Sequence, residues 1–310
     1  MQAAERDQIK ANYGELRSIA AQHRNGQFPI PNPQSALDVS EEERNRIYEK
    51  HWQQGGLAFM GSFNDLIFND KSNRTAADFI RNKITQIVKD PETARILSPI
   101  TKIGCKRLCA DTHYYDTYNL AHVSVVDIKQ RPIEPINANG ITCDGKQAEF
   151  DAILATGYDA MTDSLLRMNV SGRDGISLSD AWREGPKTYL GLACHGFPNL
   201  FTITGPGSPS VLTNMLPSIE QHVNLISDVL SHAKTNHSQR VEAQALAQQA
   251  WVDQANIVTE KTLHLGCNSW YLGANIPGKL RVFMPYVGFA DYVKKCDEIA
   301  GNNHEGFSFL

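Results

Sequence analysis

The stretch LFTITGPGSPSVLTNM, residues 200–215, joins a short apolar run to a Gly-Pro-Gly turn and then to a helical pattern. Gly205, Gly207 and Ser210 match the G-x-G-x-x-[GAS] spacing of a dinucleotide-binding turn, which also lies between a strand and a helix. That motif requires an acidic residue about 20 positions later, at the end of a second strand. The candidate, Asp228, lies instead in an apolar series at helical spacing. We therefore predict a strand-to-helix turn that does not bind a dinucleotide pyrophosphate.

The composition is typical of a globular protein with small-molecule partners. Of 310 residues, 41% are hydrophobic and 21% are charged, and the net charge of −4 comes without a block of basic residues. These values argue against nucleic acid as a partner, and no apolar run is long enough to predict a membrane span. Six scattered cysteines and an amino terminus without an apolar leader predict a cytoplasmic protein without a disulfide framework.

One cluster of polar residues raises the question of a metal site. Cys105, Cys109 and His113 would share a face if they lay on one helix. Gly104 and the tyrosine pair at 114–115 argue against a regular helix, and the spacing is not the short cysteine pair of structural zinc sites. We therefore expect packing cysteines and no metal.

The first hundred residues predict helices. Ser40 and Glu43 form a capping-box pattern that opens a helix ending at Gln54, where two glycines follow. A second helix is predicted over residues 75–88, because its apolar side chains recur at helical spacing. An ordinary doubly wound domain opens instead with a strand, a glycine-rich turn and a helix.

Beyond residue 121 the apolar pattern becomes strand-like. β-Branched runs and Asn-Gly and Asp-Gly turns predict a strand, a hairpin, a buried strand and another short strand. These lie at residues 122–128, 132–145, 148–157 and 199–204. Two long helices follow, one ending near Ala233 and one over about 240–263, before a short terminal helix. The chain is therefore predicted to be α/β, with few strands that fall late.

Four longer stretches resemble the carboxyl-terminal half of Baeyer-Villiger monooxygenases, the class B flavoproteins that include cyclohexanone and phenylacetone monooxygenases. They are GCKRLCADTHYYDTYN (104–119), LATGYDAMT (154–162), TYLGLACHGFPNLFTITGPGSPSVLTNMLPSIEQHV (188–223) and SWYLGANIPGKLRVFMPYVG (269–288). Their order and spacing also fit, so the resemblance covers nearly the whole chain.

The resemblance implies an incomplete α/β flavoprotein fold, in which two interleaved dinucleotide-binding domains carry a helical insertion. Residues 1–157 are then the helical insertion and the late part of the NADPH-binding domain. Residues 158–310 are the returning part of the FAD-binding domain. The family's two glycine fingerprints and its F-x-G-x-x-x-H-x-x-x-W-P signature belong to the amino-terminal half and do not occur here. We therefore expect a truncated chain that binds FAD weakly by itself.

The resemblance also implies roles for single residues. Arg107 matches the catalytic arginine, which stabilises negative charge that develops on oxygen. Lys106 matches a lysine that contacts the 2′-phosphate of NADPH, and Trp270 a tryptophan that bonds to the nicotinamide nucleotide. Thr156 and Gly157 lie where the chain crosses between the two domains and are expected to contact cofactor.

The opening stretch gains a role from the same comparison. Gly205, Gly207 and Ser208 resemble the loop beside the flavin, where a helix start can stabilise negative charge. Ser208 is the expected N-cap of the following helix. Leu212 and Met215 are expected on the substrate side of the site.

Together these features predict an FAD- and NADPH-dependent monooxygenase that converts a ketone and O2 into an ester or lactone, in secondary metabolism. Two alternatives stay open. In the first alternative, the chain is a non-catalytic remnant or a subunit that needs a separate amino-terminal half. In the second, it is a flavin-independent isomerase or cyclase on the same scaffold. We expect this chain by itself to be inactive.

Overall fold

A computed structural model describes residues 3–26, 31–156, 160–274 and 277–310 of the chain. Eleven α-helices and five β-strands lie in these ranges. The helices are α1 Ala3–Ala11, α2 Tyr13–Ala21, α3 Glu41–Gln54, α4 Asp70–Ile87, α5 Pro91–Leu97, α6 Tyr114–Thr117, α7 Asp163–Arg167, α8 Leu178–Ala181, α9 Met215–Thr235, α10 Ala245–Glu260 and α11 Phe289–Gly301. The strands are β1 Ile133–Asn137, β2 Gly140–Cys143, β3 Lys146–Glu149, β4 Val241–Ala243 and β5 Phe307–Phe309.

The predicted amino-terminal helices are confirmed. At the start of α3, the Ser40 hydroxyl accepts a hydrogen bond from the Glu43 N–H at 3.2 Å. The Glu43 carboxylate pairs with Arg46 rather than turning back to Ser40, so one half of the capping box forms. The helix ends at Gly55, whose φ of 72° suits glycine. Helix α4 begins five residues earlier than predicted, because Asn69 caps it.

An aromatic cluster holds α3 and α4 together. Tyr48 is fully buried, and its ring centre lies 5.3 to 5.4 Å from those of Phe59, Phe63 and Phe79. Its hydroxyl lies 2.8 Å from the hydroxyl of Thr75, so the polar tip is satisfied inside the core. Burial raises the pKa of Tyr48 to about 12. This cluster is the core of the amino-terminal helices.

The strand predictions are confirmed only for the hairpin. Strands β1, β2 and β3 form an antiparallel sheet, whereas residues 122–128 form no strand. The predicted buried strand at 148–157 is wrong, because regular pairing ends at Glu149 and Leu154 is 85% exposed. A buried strand needs a neighbour to pair with and a layer to cover it, and the described residues supply neither. The segment 199–204 forms only one isolated bridge, from Phe201 to Ala193.

A second core lies in the carboxyl-terminal part, where the predicted helices are confirmed as α9, α10 and α11. Helix α10 starts later than predicted, because residues 241–243 form β4. Side chains of these helices pack against residues 189–193 and against the β4–β5 pair. The Tyr292 hydroxyl donates to the Leu190 carbonyl at 2.8 Å, and Trp251 stacks on Tyr286 at 4.8 Å. Within the described ranges, none of the helices combines the length and apolar character needed to cross a membrane.

The turn of the opening stretch is bonded to this second core from several sides. Its Gly207 N–H donates to the Met284 carbonyl at 2.6 Å, and the Tyr286 N–H donates to the Ser208 carbonyl at 2.7 Å. The Trp251 indole N–H donates to the Gly207 carbonyl at 2.9 Å. The turn is therefore a rigid part of the core, and it sets the position of the residues that follow it.

Candidate active site

An open cleft with a cavity volume of about 100 Å³ lies where the amino-terminal helices meet the carboxyl-terminal core. Its walls come from distant parts of the chain, including Arg24, the loop 104–108, residues 211–213 and the pair His264 and Tyr271. Three basic side chains line the cleft, and no Asp or Glu lines it in the part of the chain that the structure describes. Unbalanced positive charge in a concave site favours an anionic ligand.

Arg107 and Lys106 bring two of the three positive charges to the cleft. Both side chains are exposed at its wall. The Arg107 guanidinium donates through Nη1 to the carbonyl of Val211, which ties it to the residues that follow the glycine turn. A guanidinium stays charged and has directional donors, so it can stabilise negative charge that develops on a bound oxygen atom.

Gly205 and Gly207 do not line the cleft. A Cβ atom on Gly205 would lie 2.5 Å from the Gly191 carbonyl oxygen, and one on Gly207 would lie 2.8 Å from the Thr188 hydroxyl oxygen. Both glycines therefore allow close approach of protein to protein, which explains their presence without a ligand. Their cofactor-binding role stays a prediction.

Ser208 is not a helix N-cap, contrary to prediction. Its buried hydroxyl donates back to the Gly205 carbonyl at 2.7 Å, so it serves the turn itself. The N-cap of α9 is Asn214, whose side chain accepts a hydrogen bond from the Leu216 N–H at 3.3 Å. The long helix therefore starts later than predicted, at Met215. The predicted role of Ser208 beside the flavin stays a prediction.

The structure brings together three of the ten predicted site residues. Lys106, Arg107 and Leu212 line the cleft. Trp270 is half-buried outside the lining, with its ring centre 4.4 Å from that of the lining residue Tyr271. Met215 and the exposed Thr156 also lie outside it. Gly157 lies outside the described residues.

Five polar residues of the cleft were missed by the sequence analysis: Arg24, Asn25, Thr213, His264 and Tyr271. The Thr213 hydroxyl is buried and has no hydrogen-bond partner among the described residues. Burial lowers the pKa of His264 to about 4 and raises the pKa of Tyr271 to about 12, so both side chains are neutral at pH 7. Thr213 and Tyr271 lie inside two stretches of the resemblance but received no role there, and the other three lie outside all four stretches. Only the fold brings the five together.

We expect the free energy of unfolding to decrease as the pH is lowered from 7 to 5. Burial lowers the pKa of both His222 and His264 from 6.5 to about 4. The unfolded chain therefore binds protons below pH 6.5 that the folded chain excludes, which costs about 1 to 2 kcal/mol per histidine by pH 5. Urea unfolding across this range measures the loss. His264→Gln should make the dependence shallower, and an unchanged slope in that variant would contradict the assignment.

Cys105 and Cys267 form a disulfide between two segments that flank the cleft, with their Cα atoms 5.8 Å apart. The expectation of packing cysteines without disulfides is therefore wrong for this pair. The two residues are 162 positions apart in sequence, so only the tertiary structure brings them together. Cys109 is exposed, and no group of potential metal ligands occurs in the described ranges.

Thiol titration tests the disulfide. We expect four reactive thiols in the unfolded protein without reductant, from Cys109, Cys143, Cys194 and Cys296, and six after reduction. Cys267→Ser should give five thiols in both states, because it frees Cys105. As a control, Cys143→Ser should lower both counts by one. Six thiols in the untreated wild-type protein would show that the bond is absent.

The architecture of the chain recurs in solved monooxygenases. A steroid monooxygenase bound to NADP superposes with a TM-score of 0.92 at 40% identity, and cyclohexanone monooxygenase from Rhodococcus sp. Phi1 bound to NADP+ with 0.94 at 36%. Both superpositions cover all of this chain, and 58% and 59% of the other chains. Among curated proteins, phenazine N-monooxygenase of Lysobacter antibioticus is 41% identical over 278 residues, and cyclohexanone 1,2-monooxygenase of Acinetobacter sp is 38% identical over 277. The chain corresponds to the carboxyl-terminal half of the Baeyer-Villiger-type flavin monooxygenases.

The match to these Baeyer-Villiger-type enzymes covers 88% of this chain, and the chain spans about half the length of the curated relatives it matches. No family model matches. The similarity confirms the predicted α/β fold. The names of the relatives favour the flavin monooxygenase prediction over the isomerase or cyclase alternative.

Proposed function

We propose that this chain supplies the carboxyl-terminal part of an FAD- and NADPH-dependent monooxygenase that converts a ketone and O2 into an ester or lactone. The observation that carries the proposal is the position of Arg107. It lines one cleft with Lys106 and Leu212, in a chain 38% identical to a cyclohexanone monooxygenase. A cytoplasmic location and a role in secondary metabolism belong to the same proposal.

The residues of the cleft fit an anionic cofactor. Lys106 and Arg107 provide positive charge, and among the described residues no carboxylate in the lining neutralises it. The buried hydroxyl of Thr213, unpartnered within the same ranges, is a donor that a ligand can satisfy. When bound, FAD supplies oxygen transfer and NADPH supplies the reducing equivalents.

The roles of the site residues follow from their charge and donors. Arg107 stabilises negative charge on the reacting oxygen, since its guanidinium stays protonated and its N–H groups are directional. Lys106 acts as a point charge toward the 2′-phosphate of NADPH. Trp270 donates its indole N–H to the nicotinamide nucleotide. Leu212 and Met215 face the ketone.

The domain assignment belongs to the same proposal. Residues 1–157 form the helical insertion and the late part of the NADPH-binding domain, and residues 158–310 form the returning part of the FAD-binding domain. Thr156 and Gly157 lie at the crossing between them. The turn at 205–208 supports the flavin side through its backbone, and its bonds to residues 284–286 favour a rigid support.

Exposed apolar side chains favour a dependence on an amino-terminal half. Leu154 is 85% exposed and Phe150 is 52% exposed in the segment where a buried strand was predicted. Leu216 at the start of α9 is 70% exposed. Exposed apolar surface often marks a contact with another part of a protein. We therefore propose that these side chains contact a segment that corresponds to the amino-terminal half of the relatives.

Flavin binding and product analysis test the proposal. The chain is supplied with FAD and NADPH, once alone and once with the amino-terminal half of the Lysobacter antibioticus relative added as a separate chain. We expect a stoichiometric flavin absorption band, bleached by NADPH, only in the mixture. Cyclohexanone should then give a lactone, while phenazine is the competing substrate that would give an N-oxide.

Each outcome of this experiment decides one point. A flavin band from the chain alone would overturn the dependence on a second half. A mixture that binds flavin but forms no oxygenated product would overturn the proposed activity. Formation of the N-oxide without the lactone would replace the ketone by an aromatic nitrogen as the site of oxygenation.

A further inference from the structure

Arg24 brings a third positive charge to the cleft, and its contacts are all neutral. Its guanidinium carbon lies 4.8 Å from the centre of the Phe68 ring. It donates to the Asn64 carbonyl and to the Asn25 side-chain oxygen, and both donor–acceptor distances are 3.5 Å. These bonds are long, and none of them involves a carboxylate. The charge of Arg24 is therefore not neutralised by the partners that the structure records.

Burial makes this charge costly. Arg24 is half-buried in the wall of the cleft, and burial lowers the pKa of its guanidinium. Taking a charged group out of water without an opposite charge costs free energy, so such groups are usually paired. A bound anion would supply the missing charge. Arg24 therefore resembles a ligand-binding residue more than a structural one.

The backbone holds Arg24 in register with the rest of the cleft. The Arg24 carbonyl accepts a hydrogen bond from the Phe289 N–H at 2.7 Å, and the Asn25 carbonyl accepts one from the Asn214 N–H at 3.0 Å. The second bond joins this loop to Asn214. The residue before Asn214 is Thr213, which also lines the cleft. The backbone of Arg24 therefore has a defined position relative to residues 211–213.

Arg24 and Arg107 lie near different members of the buried pair in the cleft wall. Arg24 is close enough to His264 to help lower the pKa of that imidazole, and Arg107 is close enough to Tyr271 to oppose the rise in its pKa. The ring centres of His264 and Tyr271 are 6.1 Å apart. Both cations line the same cleft, so they can contact different groups of one ligand.

We propose that Arg24 binds an anionic substituent, a carboxylate or a phosphate, of the ligand in the cleft and so selects acidic over neutral ligands. A guanidinium fork matches either group with two hydrogen bonds. The carboxylate would belong to the ketone substrate and the phosphate to the nicotinamide nucleotide. The naming of the ligand as a ketone or as a nicotinamide nucleotide rests on the proposed function, whereas the binding of an anionic group by Arg24 does not.

Calorimetric binding to the full chain tests the carboxylate. The probes are 4-oxocyclohexanecarboxylate and its carboxamide, which have the same ring and ketone and differ in charge. We expect the wild-type protein to prefer the acid by roughly tenfold. Arg24→Gln should remove most of that preference, while Lys106 and Arg107 retain the rest, and it should change the affinity for the carboxamide much less. Arg95→Gln is the matched control, since Arg95 is exposed and paired with Glu92.

Two further measurements complete the test. If Arg24→Gln instead weakens binding of NADP+ or NAD+ roughly tenfold, the bound anion is a phosphate of the nucleotide. If Arg24→Gln does not fold, Arg24→Lys retains the charge without the fork and should show a smaller loss. No acid preference in the wild type together with unchanged nucleotide binding in both variants would overturn the proposal. Acid preference in this chain, together with no oxygenated product from the flavin-loaded mixture of both halves, would overturn only the proposed function.

Discussion

Arg107→Ala is expected to lower the rate of ketone oxygenation by about 100- to 1000-fold, the usual loss when one preorganised donor to a developing oxygen charge is removed. The Arg107 guanidinium lines the cleft and is tied to the Val211 carbonyl, so its position depends on the fold and not on the ligand. Product formation is measured with the flavin-loaded mixture of both halves, at saturating NADPH. Thermal unfolding of the variant should stay close to that of the wild type, because Arg107 is exposed.

The neighbouring lysine is the control for Arg107. Lys106→Ala should raise the KM for NADPH by about tenfold and leave the maximal rate nearly unchanged, because the proposed role of Lys106 is to contact the nucleotide and not the reacting oxygen. Arg107→Lys should recover part of the lost rate, since it restores the charge without the fork. Equal effects of alanine at both positions would mean that the two residues provide only general positive charge.

Gly191→Ala is expected to destabilise the protein by about 3 kcal/mol. Gly191 has a φ of +73°, where an alanine costs about 1 to 2 kcal/mol. The added Cβ would lie 2.5 Å from the backbone nitrogen and the Cβ of Ser208, and overpacking of this kind adds about 1 to 3 kcal/mol. Ser208 cannot move away easily, because its carbonyl is bonded to the Tyr286 N–H. Urea unfolding measures the loss.

A substitution at a second glycine distinguishes the cost of the backbone conformation from the cost of the steric clash. Gly196 has a φ of +84°, but a Cβ added there would meet nothing within 4 Å. Gly196→Ala should therefore cost only about 1 to 2 kcal/mol, the backbone share of the loss. If both variants were destabilised to the same extent, the close approach of Gly191 to the turn would not contribute.

Much of the local structure could be predicted because its causes lie close together in sequence. The Ser40 cap, the ends of α3 and the turns of the β1–β2–β3 sheet depend on residues only a few positions apart. The buried strand at 148–157 could not be predicted correctly. Its apolar pattern indicates side chains that need to be buried. The pattern does not indicate whether another element of the described residues packs against them.

The candidate site was predicted only in part for the same reason. The resemblance singled out Arg107, Lys106 and Leu212, and all three line the cleft. Arg24 and His264 are 240 positions apart in sequence, and neither lies in a motif. Nothing in the sequence therefore indicated that both line the same cleft. The disulfide partner of Cys105 was missed for the same reason.

The sequence by itself determined the helices, the hairpin and the resemblance to half of a flavin monooxygenase, because capping, periodicity and motif spacing are properties of neighbouring residues. Only the tertiary structure decided what the glycines of LFTITGPGSPSVLTNM do. Because Gly205 and Gly207 lack a Cβ atom, Gly191 and Thr188 can pack directly against them, although they are distant in sequence. Burial, close approach and the shared charge of a cleft depend on distances in three dimensions, and these become defined only when the chain has folded.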